Sequence, residues 1–106
     1  MATFDSREKG FEDKFAHEEA FKFKALMKRN ALFASWAAGA LGKEKTLAEA
    51  YVTELLKGAV ESSDGEHVLH RVKNDFQAAS LQFSEHQLRR IFDDYMATAM
   101  EELRKA

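Results

Sequence analysis

The sequence predicts an all-α protein, an antiparallel four-helix bundle behind a polar N-terminal arm. Apolar residues recur at intervals of three and four along almost the whole chain, the period of a helix that buries one face. The 106 residues include no proline and only five glycines, so little interrupts a helix. Three helix-start signatures, a hydroxyl residue followed three positions later by Glu or Gln, stand before apolar runs: Thr46 with Glu49, Ser63 with Glu66, and Ser84 with Gln87.

The first long helix is expected from about Glu18 to Ala40. Phe23, Leu26, Phe33, Ala37 and Ala40 form one stripe, which Trp36 and Leu41 widen. Gly42 is the expected stop, because glycine accepts the left-handed conformation that ends helices; Gly39 is an earlier candidate. Asn30 falls inside the stripe. A buried amide needs hydrogen-bond partners, so Asn30 either fixes the packing register or meets a ligand at the bundle surface.

The second helix, started by Thr46 and Glu49, should bury Ala48, Tyr51, Val52, Leu55, Leu56 and Ala59. Ser62-Ser63-Asp64-Gly65 reads as a loop, with Ser63 and Glu66 opening the third helix over Val68, Leu69, Val72, Phe76 and Ala79. Ser84 and Gln87 open the fourth, which should bury Leu88, Ile91, Phe92, Tyr95, Met96, Ala99 and Leu103. The connections are short, which favours antiparallel neighbours. The division is an arm over residues 1–17 and a bundle over 18–106.

The arm places Phe4, Phe11 and Phe15 seven and four residues apart, on one face of a helix. Arg7, Glu8, Lys9, Asp13 and Lys14 take the other side. Gly10 stands in the middle and costs about 1 kcal/mol of helix propensity relative to alanine. So short a segment is marginal as an isolated helix. Two readings are open: it stays unfolded until something accepts its phenylalanines, or it extends the first helix and packs its rings on the bundle.

A chain of this length is one domain with enough core to fold without staples. The absence of cysteine excludes disulfides, thiolate metal sites and a thiol nucleophile, and fits a reducing compartment. A net charge of -2 argues against a nucleic-acid binder. No apolar run approaches the ~20 residues of a membrane span, so no membrane insertion is expected. Met1-Ala2-Thr3-Phe4-Asp5-Ser6-Arg7-Glu8 lacks the pattern of a signal peptide, and a cytoplasmic location is expected.

The sequence offers no phosphate-binding glycine loop, no nucleophile elbow and no His-Glu-x-x-His pair, so no catalytic residue and no enzymatic activity is expected. His67 and His70 are three apart on one helix, but zinc takes three or four protein ligands; His17 and His86 stand elsewhere, and no metal site is expected. Lys22, Lys24, Lys28 and Arg29, followed by Trp36, place cations near an aromatic ring, the elements of a nucleotide site. The same lysines also read as an ordinary solvated helix face, and Trp36 as an edge of the core.

Two stretches carry a resemblance: Phe4-Asp5-Ser6-Arg7-Glu8-Lys9-Gly10-Phe11-Glu12-Asp13-Lys14-Phe15-Ala16-His17, and Arg29-Asn30 with Trp36-Ala37-Ala38 and Leu41-Gly42. They resemble the zeta subunit, the inhibitor of the F-type ATP synthase of alphaproteobacteria. The resemblance covers the chain and is sharpest over its first 42 residues. It implies a four-helix bundle with a mobile arm. The arm would become helical on entering a catalytic interface between the alpha and beta subunits and block rotation in the hydrolysing direction, which makes alpha, beta and gamma of the catalytic head the partners. Phe4, Phe11 and Phe15 would bury rings, each contributing about 1.5–3 kcal/mol, and Arg7, Glu8, Lys9, Glu12 and Lys14 would set register. The ordering cost of the arm would keep binding reversible.

The resemblance also implies ADP or ATP as a regulatory ligand of the bundle, with no required cofactor; the place to look is Lys28, Arg29, Asn30 and Trp36. Gly10 departs from the family, where alanine is expected, and should weaken the arm as a helix. Two other functions stand beside inhibition, an adenine-nucleotide energy sensor and a generic helical adaptor. Balanced charge and a filled core fit a monomer.

Overall fold

The computed structural model describes the backbone of residues 2–61 and 65–105, and the side chains of residues 18–59 and 65–105. Among the described residues four helices follow one another: α1 Ala2–Ala40, α2 Lys45–Glu61, α3 Glu66–Ala78 and α4 Glu85–Lys105. No strand occurs among the described residues. The arrangement is the expected four-helix bundle. α1 packs against all three other helices, α3 against both α2 and α4, and α2 and α4 stand on opposite sides. α4 runs antiparallel to α1: Phe92 meets Phe33, while further along α4 Glu102 reaches back to Lys28.

α1 is one continuous helix of 39 residues, so the chain is helical well before Glu18. At ~1.5 Å per residue it is ~58 Å long, against ~32 Å for the 21 residues of α4. The molecule is correspondingly elongated, 66 Å by 29 Å by 26 Å. Among the described side chains of α1 the first that is buried is Ala25, seven residues after Glu18.

The core joins Phe33, Ala34, Ala37 and Ala38 of α1 to Tyr51, Leu55 and Ala59 of α2, Val68, Leu69, Val72 and Phe76 of α3, and Leu88 and Phe92 of α4. Three expected core residues are exposed. Phe23 is 55% exposed, two residues ahead of Ala25. Ala40 is exposed in the last turn of α1, and Ala79 is exposed as the cap that follows α3.

The helix ends show how local chemistry sets these boundaries. Gly42 (φ +74°) ends α1 with Lys43 N–H donating to the Ala38 carbonyl and Gly42 N–H to the Gly39 carbonyl, a Schellman motif. Gly39 itself remains inside the helix. At α2 the expected Thr46 cap is replaced by Glu44, whose Oε1 accepts from the Leu47 amide at 3.0 Å; Thr46 is already helical. α3 is entered through Gly65 (φ +76°) with no side-chain cap, and Ser63 lies outside the described residues. α4 has the reciprocal capping box expected: the Gln87 amide donates to Ser84 Oγ at 3.1 Å and the Ser84 amide to Gln87 Oε1 at 2.8 Å.

Candidate functional site

The arm residues read from the sequence, Phe4, Arg7, Glu8, Phe11, Glu12, Lys14 and Phe15, have side chains outside the described residues. Their backbone belongs to α1. The helix continues from them through Glu18, Glu19, Ala20, Lys22, Phe23 and Lys24, all exposed, with Phe21 half-buried, before α1 enters the core.

Of the four residues read as a nucleotide site, the fold brings two together and separates the others. Arg29 and Asn30 lie inside the protein, 7% and 1% exposed. Arg29 Nε and Nη2 donate to Asn30 Oδ1 at 3.2 and 3.1 Å, and the guanidinium carbon stands 4.0 Å from the centre of the Phe92 ring. Asn30 is one of the groups that hold this cation, not the whole of its environment. Gly65 completes the arrangement. A Cβ there would overlap the Arg29 guanidinium and come within 2.8 Å of Asn30 Oδ1 and 2.9 Å of Phe92 Cζ. The entry to α3 therefore rests on α1 and α4 through a glycine backbone.

Lys28 points elsewhere. Its Nζ pairs with Glu102 at 3.0 Å, and it lines a cleft of about 600 Å³ between α1 and α2. Leu32, Ala48 and Val52 give the cleft apolar walls, and Lys45 and Glu49 add charge. Arg29, Asn30 and Trp36 do not line it. Trp36 belongs to an aromatic cluster, with its ring centre 5.8 Å from Phe33, 5.6 Å from Phe76 and 5.6 Å from Phe83. Phe92, Gly65 and Lys45 were not singled out by the sequence reading. Phe92 read as one more core position, and nothing local to Gly65 signals what approaches it.

Charged networks tie α3 to its neighbours. Tyr51 Oη donates to Asp75 Oδ2 at 2.7 Å, and Arg71 Nε donates to the same oxygen at 3.0 Å while its Nη1 reaches Glu54 Oε1 at 3.0 Å. Burial first, then the hydrogen bond to Asp75, raises the Tyr51 phenol far above its ordinary range. The hydrogen bond to Glu54 raises Arg71 as well. Arg89 grips Glu66 with two bonds of 2.9 Å, which hold the guanidinium above its usual value and join α4 to the start of α3. His67 lies against Gly58 of α2, where a Cβ would overlap the imidazole. Among the described residues no group of three His, Cys, Asp or Glu is placed to hold a metal ion, and no helix is long and apolar enough to cross a membrane.

Compared with models of known protein families, residues 1–102 match ATPase inhibitor subunit zeta. The chain belongs to that family. No curated protein matches it. For this zeta chain the match begins at residue 1, so it takes in the leading half of α1 as well as the bundle. The family is one of inhibitor subunits, whose work is regulatory.

Proposed function

We propose that this zeta chain inhibits ATP hydrolysis by an F-type ATP synthase, with the N-terminal part of α1 docking at a catalytic interface between alpha and beta subunits and opposing rotation of gamma. The observation that carries the reading is α1 itself: a 39-residue helix in a family of ATPase inhibitors, which starts far ahead of the core positions Phe33, Ala34, Ala37 and Ala38 that it contributes to the bundle. An extended helix can offer its N-terminal part to a cleft on a partner while the bundle stays folded. Phe4, Phe11 and Phe15 are the apolar anchors, and Arg7, Glu8, Glu12 and Lys14 set the register along the cleft. The chain acts as a monomer in the cytoplasm.

The test is ATP hydrolysis by the soluble catalytic head in the presence of the full-length chain and of its Phe11→Ala/Phe15→Ala variant. The wild-type chain should inhibit and the variant should not. Equal inhibition by the two would remove these rings from the mechanism.

A second reading rests on the α1–α2 cleft. Its volume of about 600 Å³, its apolar walls and the ammonium groups of Lys28 and Lys45 suit an adenine nucleotide, with the base against Leu32 and Val52 and the phosphates at the lysines. ADP or ATP would then be a regulatory ligand and not a required cofactor. Titration of either nucleotide into the wild-type chain and a Lys28→Ala/Lys45→Ala variant decides it: saturable binding lost in the variant supports the cleft, and unchanged binding moves the site elsewhere.

A further inference from the structure

Lys28 belongs to two structures at once. With Ala31, Leu32 and Ser35, which follow it on one face of α1, it forms the α1 wall of the cleft of about 600 Å³ shared with α2. Its ammonium group is nevertheless turned to α4, 3.0 Å from a carboxylate oxygen of Glu102, and Glu102 does not line the cleft. The other cleft cation, Lys45, shares its wall with Glu49, one turn further along α2, so its charge is offset within the cleft itself. Lys28 differs in having its countercharge outside.

The Lys28–Glu102 pair is held loosely. Both side chains keep contact with water, 38% and 46% exposed, and an ion pair so placed contributes little. It also sits past the packed part of α4. Ala99 is the last buried side chain of that helix among the described residues; Glu101, Glu102, Arg104 and Lys105 are exposed, and the neighbouring Lys105–Glu101 pair stays within α4. Lys28–Glu102 thus ties α1 to the end of α4 through a contact that rotation of one lysine side chain undoes.

We infer that Glu102 competes with an anionic ligand of the α1–α2 cleft for Lys28, so that filling the cleft releases the end of α4 from α1, a competition that rests on the nucleotide reading of the cleft given above. The apolar body of the ligand lies against Leu32, Ala48 and Val52. Its phosphates draw the Lys28 ammonium in from α4, because they offer more charge and more acceptor oxygens than one carboxylate. Linkage makes the effect reciprocal: whatever strengthens the Lys28–Glu102 pair weakens anion binding by the same factor. Glu102 is therefore a positioning residue for a cleft whose ligand it does not touch.

ADP and adenosine titrated into the full-length chain as wild type, Glu102→Gln and Glu101→Gln, and followed by NMR, test the competition. Glu102→Gln should bind ADP roughly two- to five-fold more tightly than the wild type, since the competitor for Lys28 is gone. Glu101→Gln removes the same charge one residue away from a pair confined to α4, and should change the affinity less. Adenosine carries no phosphate and should bind the three chains alike. In the wild type ADP, and not adenosine, should shift the backbone amides of residues 100–105, which do not line the cleft. Saturable ADP binding that is equal in the wild type and Glu102→Gln, or tightened equally by the two substitutions, overturns the competition and leaves the cleft reading standing. A wild-type chain that binds no ADP takes down that reading and the competition with it.

Discussion

The guanidinium of Arg29 lies over the ring of Phe92, 4.0 Å from its centre, with both residues inside the bundle. A cation removed from water must be compensated, and here the π face of Phe92 and the Oδ1 of Asn30 do part of that from two directions. Arg29→Lys keeps the charge but loses the planar stacking and the paired donors, and should destabilise the fold by about 2 kcal/mol. Asn30→Ala removes an acceptor from a buried charge and should cost a similar ~2 kcal/mol. Urea unfolding of the two variants and of the double variant checks this. Because the residues share one network, the double variant should cost less than the two costs added.

Gly65 is required by both its conformation and its surroundings. At φ +76° a Cβ is strained, and it would also press on Arg29, Asn30 and Phe92. Gly65→Ala should therefore cost more than the ~1–2 kcal/mol of a left-handed residue alone. Gly39 is the control: it is helical with nothing within 4 Å of a built Cβ, so Gly39→Ala should be neutral or stabilise by up to about 1 kcal/mol. Thermal melts of the two variants should move in opposite directions or differ by several degrees.

Ser80 carries a conformation better suited to glycine. Its φ is +60°, and Leu81 N–H donates to the Phe76 carbonyl while Ser80 N–H donates to that of Gln77, the same Schellman pattern that ends α1 at Gly42. Leu81 packs back onto the core. The geometry is thus held by tertiary contact at a residue that pays a steric penalty. Ser80→Gly should stabilise the protein by about 0.5–1 kcal/mol, read as a rise in the urea midpoint with an unchanged slope.

What the sequence made legible divides by how local the cause is. The Ser84–Gln87 capping box was readable because both partners lie within one turn. Thr46 was displaced by Glu44 because both satisfy a local rule, and the carboxylate two residues earlier reaches the Leu47 amide. On α3 the stripe Val68, Leu69, Val72 and Phe76 is buried as its spacing predicts. On α1 one stripe was too few. That helix touches three others, so Ala25, Ala34 and Ala38 are buried beside Phe33 and Ala37. Phe23 fits the periodicity yet stays exposed, because its position relative to the ends of the other helices is set by packing and not by period. Asn30 was recognisable as a buried amide. Its bond to Arg29 was not, because adjacent helical residues do not ordinarily face one another. The two motif stretches, over residues 4–17 and 29–42, pointed to the family, while no residue of this chain encodes the surface of a partner.

Tyr51 makes the α2–α3 contact sensitive to alkali. Its hydroxyl donates to Asp75, which also accepts from Arg71, and its ring lies near the cations of Lys43 and Arg71 at 5.2 and 5.7 Å. Burial and the Asp75 carboxylate hold the folded phenol well above the unfolded tyrosine value of about 10. A raised pKa favours the folded state fully below the unfolded value; above it the unfolded chain ionises first, so the contribution is lost as pH rises from ~10 toward the folded value. Tyr51→Phe should cost about 1 kcal/mol at neutral pH, since Arg71 continues to satisfy Asp75. The deficit should narrow above pH ~10, where only the wild-type chain carries this proton linkage. Unfolding free energies of both chains at pH 7 and at several values above 10 measure it, and a difference that stays constant across that range would separate the hydrogen bond from any titration of Tyr51.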